Sequence, residues 1–169
     1  MVKAIEVPEE FLQVDGRPFR TAKRDKEGNL ELQKDGKGNV LMAEGGGALI
    51  EQERADFPTK LKDFLNIIFQ LVAQPSQRKK ELGIDGKELK MEDSAHATGI
   101  FRAIQVYTDG VIELENSDYD WLKTKIDEYG ILTFGINAQV FKEAVEKITD
   151  LGTPRAERRR EKSKGGEDG

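Results

Sequence analysis

The chain has 169 residues, 37% hydrophobic and 35% charged, with 27 Lys and Arg against 32 Asp and Glu for a net charge of −5. No apolar run approaches the roughly 18 residues of a membrane-spanning helix, and the acidic balance argues against holding nucleic acid by bulk charge. Cysteine is absent, which excludes disulfides, thiolate metal sites and cysteine nucleophiles.

Residues 1–55 are rich in Gly, Asp, Lys and Glu and read as an N-terminal arm. The N-terminus lacks an apolar core of signal-peptide length, so an intracellular protein is expected. Asp25-Lys-Glu-Gly-Asn-Leu-Glu-Leu and Asp35-Gly-Lys-Gly-Asn-Val-Leu-Met share the form Asp-x-x-Gly-Asn-apolar-x-apolar. Asp-Gly and Gly-Asn pairs favour tight turns, and Leu30-Glu31-Leu32-Gln33 alternates as a half-buried strand does. The pattern predicts a β-hairpin with strands at 29–33 and 39–43 and a turn at 34–38. An isolated hairpin is marginal in water, so it must dock on the helical part or on a partner. Its apolar residues Leu30, Leu32, Val40 and Met42 are candidate partner contacts. Gly45-Gly46-Gly47 reads as a flexible joint; it lacks the following Lys-Ser or Lys-Thr of a phosphate loop.

A helical domain is expected from 56 to 152. Asp56-Phe-Pro58 opens its first helix, Pro being tolerated in a first turn. Leu61, Phe64, Leu65, Ile68, Leu71 and Val72 recur along one face. Ile67 and Phe69 fall off that stripe, so the helix is either the central core helix or part of an interface, and the two residues are candidate contacts for a protein partner or a second subunit. Pro75 ends the helix. A charged connection over 76–93 includes a short helix at 77–82 and a turn at 83–86. Asp93 or Ser94 caps a helix over 95–107, with Ile100, Phe101, Ile104 and Tyr107 on one face. An extended piece at 111–114 leads to a helix over 119–129 that Ser117 or Asp118 caps and Gly130 stops. A last helix is expected over 137–149, and a disordered basic tail over 153–169.

Chemistry-bearing patterns are few. The stretch 105–116 has the outline of a calcium loop, with Gly110 at the sharp turn and Ile112 as apolar anchor. Its ligand positions are Gln105, Tyr107, Asp109 and Asn116, so carboxylates are missing where the metal most needs charge. His96 is the single histidine; beside Asp93 and Ser94 it reads as a surface residue, and Trp121 as a core residue. Paired carboxylates such as Glu113 and Glu115 lie on polar faces, without the cleft that acid–base chemistry needs. The reading assigns no catalytic residue, no cofactor and no metal site. The tail carries Arg155, Arg158, Arg159, Arg160, Lys162 and Lys164, which are candidate nucleic-acid contacts of a salt-sensitive kind.

Ile100-Phe-Arg-Ala-Ile-Gln-Val-Tyr, Gly110-Val-Ile-Glu-Leu, Tyr119-Asp-Trp-Leu-Lys and Gly135-Ile-Asn-Ala-Gln-Val-Phe resemble, in this order, the C-terminal half of a family of small accessory proteins of tailed bacteriophages. The resemblance spans mainly 99–147 and rests on pattern. It implies phage origin, a small helical shape, and a place in the host cytoplasm or the virion; it implies no activity. The expectation is a mainly α (α+β) protein of about four helices. It would be a non-enzymatic accessory protein binding another phage structural or assembly protein during head or tail assembly. The alternative is a regulator or inhibitor acting, through the basic tail, on nucleic acid or a host nucleic-acid machine.

Overall fold

The computed structural model describes residues 2–108 and 110–151. The elements run β1 (Val2–Glu6), β2 (Arg20–Ala22), β3 (Gln52–Arg54), α1 (Phe57–Val72), α2 (Ser76–Glu81), α3 (Met91–Gln105), β4 (Val111–Glu115), α4 (Asn116–Phe134), a 3₁₀ turn (Gly135–Asn137), α5 (Ala138–Glu146) and β5 (Ile148–Leu151). The protein is mainly helical with two small sheets, in keeping with the α+β expectation. The expectations for the tail, including Arg155, Arg158, Arg159, Arg160, Lys162 and Lys164, fall outside the described residues.

The larger sheet was not foreseen. Its order is β4-β1-β5, with β1 antiparallel to both neighbours. Ile5 lies opposite Ile112 on one side and Ile148 on the other. Ile5 and Ile112 are fully enclosed, and burying such a side chain contributes about 1.5–3 kcal/mol. The start of the chain is therefore part of the core rather than of a separate arm. The same pairing corrects the last helix, which ends at Glu146 instead of 149. Ile148 and Thr149 satisfy their backbone in the sheet, opposite Ile5 and Ala4.

The root of the arm is also core. Phe11 and Phe19 are stacked with centroids 4.3 Å apart, and Phe11 meets Phe57 of α1 edge-on at 5.4 Å. Phe141 of α5 contacts Phe57 at 5.9 Å, Phe64 at 5.4 Å and Phe134 at 4.4 Å. This aromatic cluster ties arm, α1, α4 and α5 together.

α1 starts as expected: the Asp56 carboxylate accepts from the Thr59 N–H at 2.9 Å. Leu61, Phe64, Leu65 and Ile68 have no exposed surface. The wide apolar girth of this helix follows from its neighbours, since β2, α3 and α4 all pack against it. α3 begins at Met91, earlier than expected. Asp93 lies inside its first turn and accepts the Lys90 N–H at 2.7 Å. α4 runs through Gly130 to Phe134. Gly130 is buried against Ile126 and Ala138, and packing against α5 outweighs its helix penalty of about 1 kcal/mol. The helix stops instead at Gly135, with φ +55°.

Candidate protein-binding surface

Between Phe11 and Ala55 the arm is built from four copies of one turn. The Gly16 N–H donates to Gln13 C=O, Gly28 to Asp25, Gly38 to Asp35 and Gly46 to Ala43, at 2.9–3.1 Å. These four glycines have φ of +84°, +86°, +85° and +88°, a region that other L-residues enter at a cost of roughly 1–2 kcal/mol. Gly45-Gly46-Gly47 is thus a fourth tight turn, not a joint. At Asp35 the backbone N–H of Asn39, and then that of Lys37, hold the carboxyl below the usual carboxylate range. Their distances to Oδ1 are 3.0 and 2.8 Å. Asp25 repeats the arrangement toward Asn29 and Glu27, both at 2.9 Å.

The turns are joined by two closed rings of backbone hydrogen bonds. Glu31 donates to Lys23 at 2.9 Å, Lys23 to Glu51 at 2.8 Å, and Glu51 back to Glu31 at 2.8 Å. Further out, Leu41 donates to Gln33 at 2.8 Å, Gln33 to Leu49 at 2.8 Å, and Leu49 back to Leu41 at 2.9 Å. Each ring saturates the backbone of three chain segments at one level. The expected hairpin around 34–38 exists, with Lys34 opposite Val40. Its long strands do not form, because the third segment (48–51) completes each ring.

Beyond its buried root, the arm leaves apolar side chains facing solvent. Leu30, Leu32, Val40 and Met42 are 41%, 36%, 38% and 57% exposed, and Leu41 and Ile50 are comparably open. Leu30, Leu32 and Val40 line an open groove of about 790 Å³. The other five lining residues are charged: Lys23, Asp25, Glu31, Lys34 and Glu51. The two candidates on α1 lie elsewhere: Ile67 and Phe69 are partly buried, and Phe69 packs against the core. A second apolar corner escaped the sequence reading. Val14, Ile131, Leu132 and Ile136 are 59%, 78%, 41% and 80% exposed, and the Val14 N–H bonds to Asn137 Oδ1 at 2.9 Å. Ending α4 at Gly130 hid the first turn of this corner.

The titratable side chains meet on the other flank, where α3 crosses α4. His96 Nδ1 lies 2.8 Å from Asp118 Oδ1 and Nε2 3.9 Å from Glu92. Its side chain is only 20% exposed, so the surface reading of His96 is corrected: the fold of α4 over α3 encloses it. Trp121 covers the imidazole and donates from Nε1 to Asp93 Oδ1 at 2.8 Å. Among the described residues no hydroxyl shares a hydrogen bond with the His96 ring. The arrangement braces two helices. Gln105, Tyr107 and Asn116, the described positions of the calcium outline, are distributed over α3, the following loop and α4, with β4 paired to β1 between them; Asp109 lies outside the described residues. Among the described residues no cluster of three or more His, Asp or Glu is placed to hold a metal ion, and no helix is long and apolar enough to cross a membrane.

No family model matches the chain, and neither a curated protein nor a solved structure does.

Proposed function

We propose that the protein is a non-enzymatic binding module that grips another protein through the open groove of its arm, where apolar side chains stand among charged ones. The observation that carries this reading is the combination of a rigid backbone with open apolar side chains. Two rings of hydrogen bonds hold the arm, yet Leu30, Leu32, Val40 and Met42 remain 36–57% exposed. A pre-ordered apolar surface loses little conformational entropy on binding, and contiguous exposed apolar groups mark interaction sites. The His96–Asp118 pair supports the non-enzymatic side, since its hydrogen bonds and stacking are spent on joining α3 to α4.

The phage-like pattern over 99–147 supports virion assembly, in the host cytoplasm or the particle, as the setting. The test is affinity capture from infected cells after nuclease treatment, comparing the wild type with Leu32→Asp and Met42→Asp. Recovery of a head or tail protein by the wild type and its loss in both variants is the expected result. Recovery of a host polymerase or nuclease, unchanged in both variants and lost on deleting 154–169, would replace this reading with that of a tail-borne regulator.

A further inference from the structure

Resting on the binding role proposed above, we infer that the occupant of the arm groove is the same groove of a second copy of this chain, arranged about a two-fold axis near Leu32. A two-fold contact requires one patch to complement itself: every group on it must find its partner on the identical patch turned around. The groove answers that requirement through the opposite charges of its two ends, Lys34 at one and Glu51 with Asp25 at the other. Of the rim groups, Lys23 and Glu31 neutralise each other within one molecule at 3.4 Å. Lys34 and Glu51 are exposed, line the same groove, and form no ion pair among the described residues. Asp25 also lines the groove, its Oδ1 accepting the N–H groups of Glu27 and Asn29, so one cation, Lys34, and two anions, Glu51 and Asp25, are left without an ion pair among the described residues.

Their placement is suited to exchange. Glu51 belongs to the inner hydrogen-bond ring, level with Glu31, whereas Lys34 lies beyond the outer ring, next to Gln33. Three residues of extended chain separate these levels, about 10 Å at the usual rise. Leu32 lies between the rings, paired with Ile50, close to the midpoint. Turning a second groove about an axis there sets Lys34 of each copy over Glu51 of the other. Lys34 of each copy then meets the acidic end of the other, Glu51 with Asp25 beyond it, while the two Leu32 side chains meet at the axis and Leu30 of each copy faces Val40 of the other. The interface has an apolar middle and a charged rim, the usual anatomy of a specific contact.

The test is sedimentation velocity of the full chain over a concentration series, with circular dichroism as a check on folding. A wild-type dimer is expected. Lys34→Glu and Glu51→Lys should each weaken association at least about tenfold, as a close interfacial charge pair does, and the double variant carrying both changes should regain most of it. That recovery excludes a merely structural effect of the single changes. A monomeric wild type, or a dimer indifferent to both reversals, would overturn the inference. In the first case, loss of partner capture by Leu32→Asp would still stand for the binding role, so the two readings fail separately.

Discussion

The indole of Trp121 lies over the imidazole of His96, with ring centroids 5.7 Å apart and planes 20° from parallel. These are the only Trp and the only His in the chain, and they join α4 to α3. The pair is anchored at both ends: His96 by Asp118 at 2.8 Å, Trp121 by Asp93 at 2.8 Å. Lys125 completes the cluster, 3.8 Å from Asp93 and 3.6 Å from Glu128.

Asp93 makes this brace acid-sensitive. Burial acts to raise its pKa, but the Lys90 N–H, the Trp121 N–H and the charges of Lys125 and His96 together hold it below the ordinary value of 3.8. A carboxyl depressed in the folded state contributes stability above its unfolded pKa and loses that contribution as pH falls through the folded one. Acid titration followed by Trp121 fluorescence should therefore show the stability contribution fading below about pH 4. Asp93→Asn should flatten that limb. At neutral pH, Asp93→Ala should cost about 1–3 kcal/mol by orphaning the indole N–H, measured by urea denaturation.

Gly99, three residues after His96 on α3, faces Asp118 of α4. A Cβ there would stand 2.5 Å from Asp118 Oδ2, and His96 pins that carboxylate on its other oxygen. Gly99→Ala should destabilise the fold by about 1–3 kcal/mol through overpacking. Combining it with Asp118→Ala removes the obstacle, so the double variant should be more stable than the sum of the two losses. Strict additivity in thermal melts would show that the carboxylate moves aside freely.

Phe141 is the hub of the aromatic cluster, touching Phe11, Phe57, Phe64 and Phe134. Phe141→Ala should cost about 3–5 kcal/mol. Because Phe11 roots the arm in this cluster, arm and helices should unfold in one transition. Two resolved steps in calorimetry of the wild type would contradict that coupling.

In the arm, Gly38→Ala should cost about 1–2 kcal/mol, the price of a left-handed alanine. The loss should be local. Amide exchange is expected to quicken at Leu41 and Leu49, whose N–H groups belong to the outer ring, while Ile5 and Ile112 keep their protection. Uniform acceleration would mean that the turns support the whole fold.

The helices were legible because their signals are local. The Leu61–Phe64–Leu65–Ile68 spacing names a buried face, and Asp56 with Pro58 marks its start, from neighbours a few residues apart. The Asp-x-x-Gly-Asn echo likewise disclosed two of the four turns; the other two, at Gly16 and Gly46, carry the same glycine with Gln13 and Ala43 in place of the Asp and Arg17 and Gly47 in place of the Asn. The arm residues Leu30, Leu32, Val40 and Met42 could be picked out as apolar, but their exposure depends on which segments close the two rings.

The amino-acid sequence by itself determined the absence of thiol chemistry, the helical segments and two of the four positive-φ turns of the arm, since composition, periodicity and glycine freedom operate within a few residues. Tertiary structure alone decided the rest. Pairing across more than a hundred residues made strands of Val2–Glu6 and Ile148–Leu151, packing carried α4 through Gly130, and the crossing of α3 and α4 brought His96, Asp118, Trp121 and Asp93 together. These outcomes depend on hydrogen bonds and contacts between segments distant in the chain, whose energies exceed local preferences of about 1 kcal/mol per residue and leave no periodic trace in the sequence.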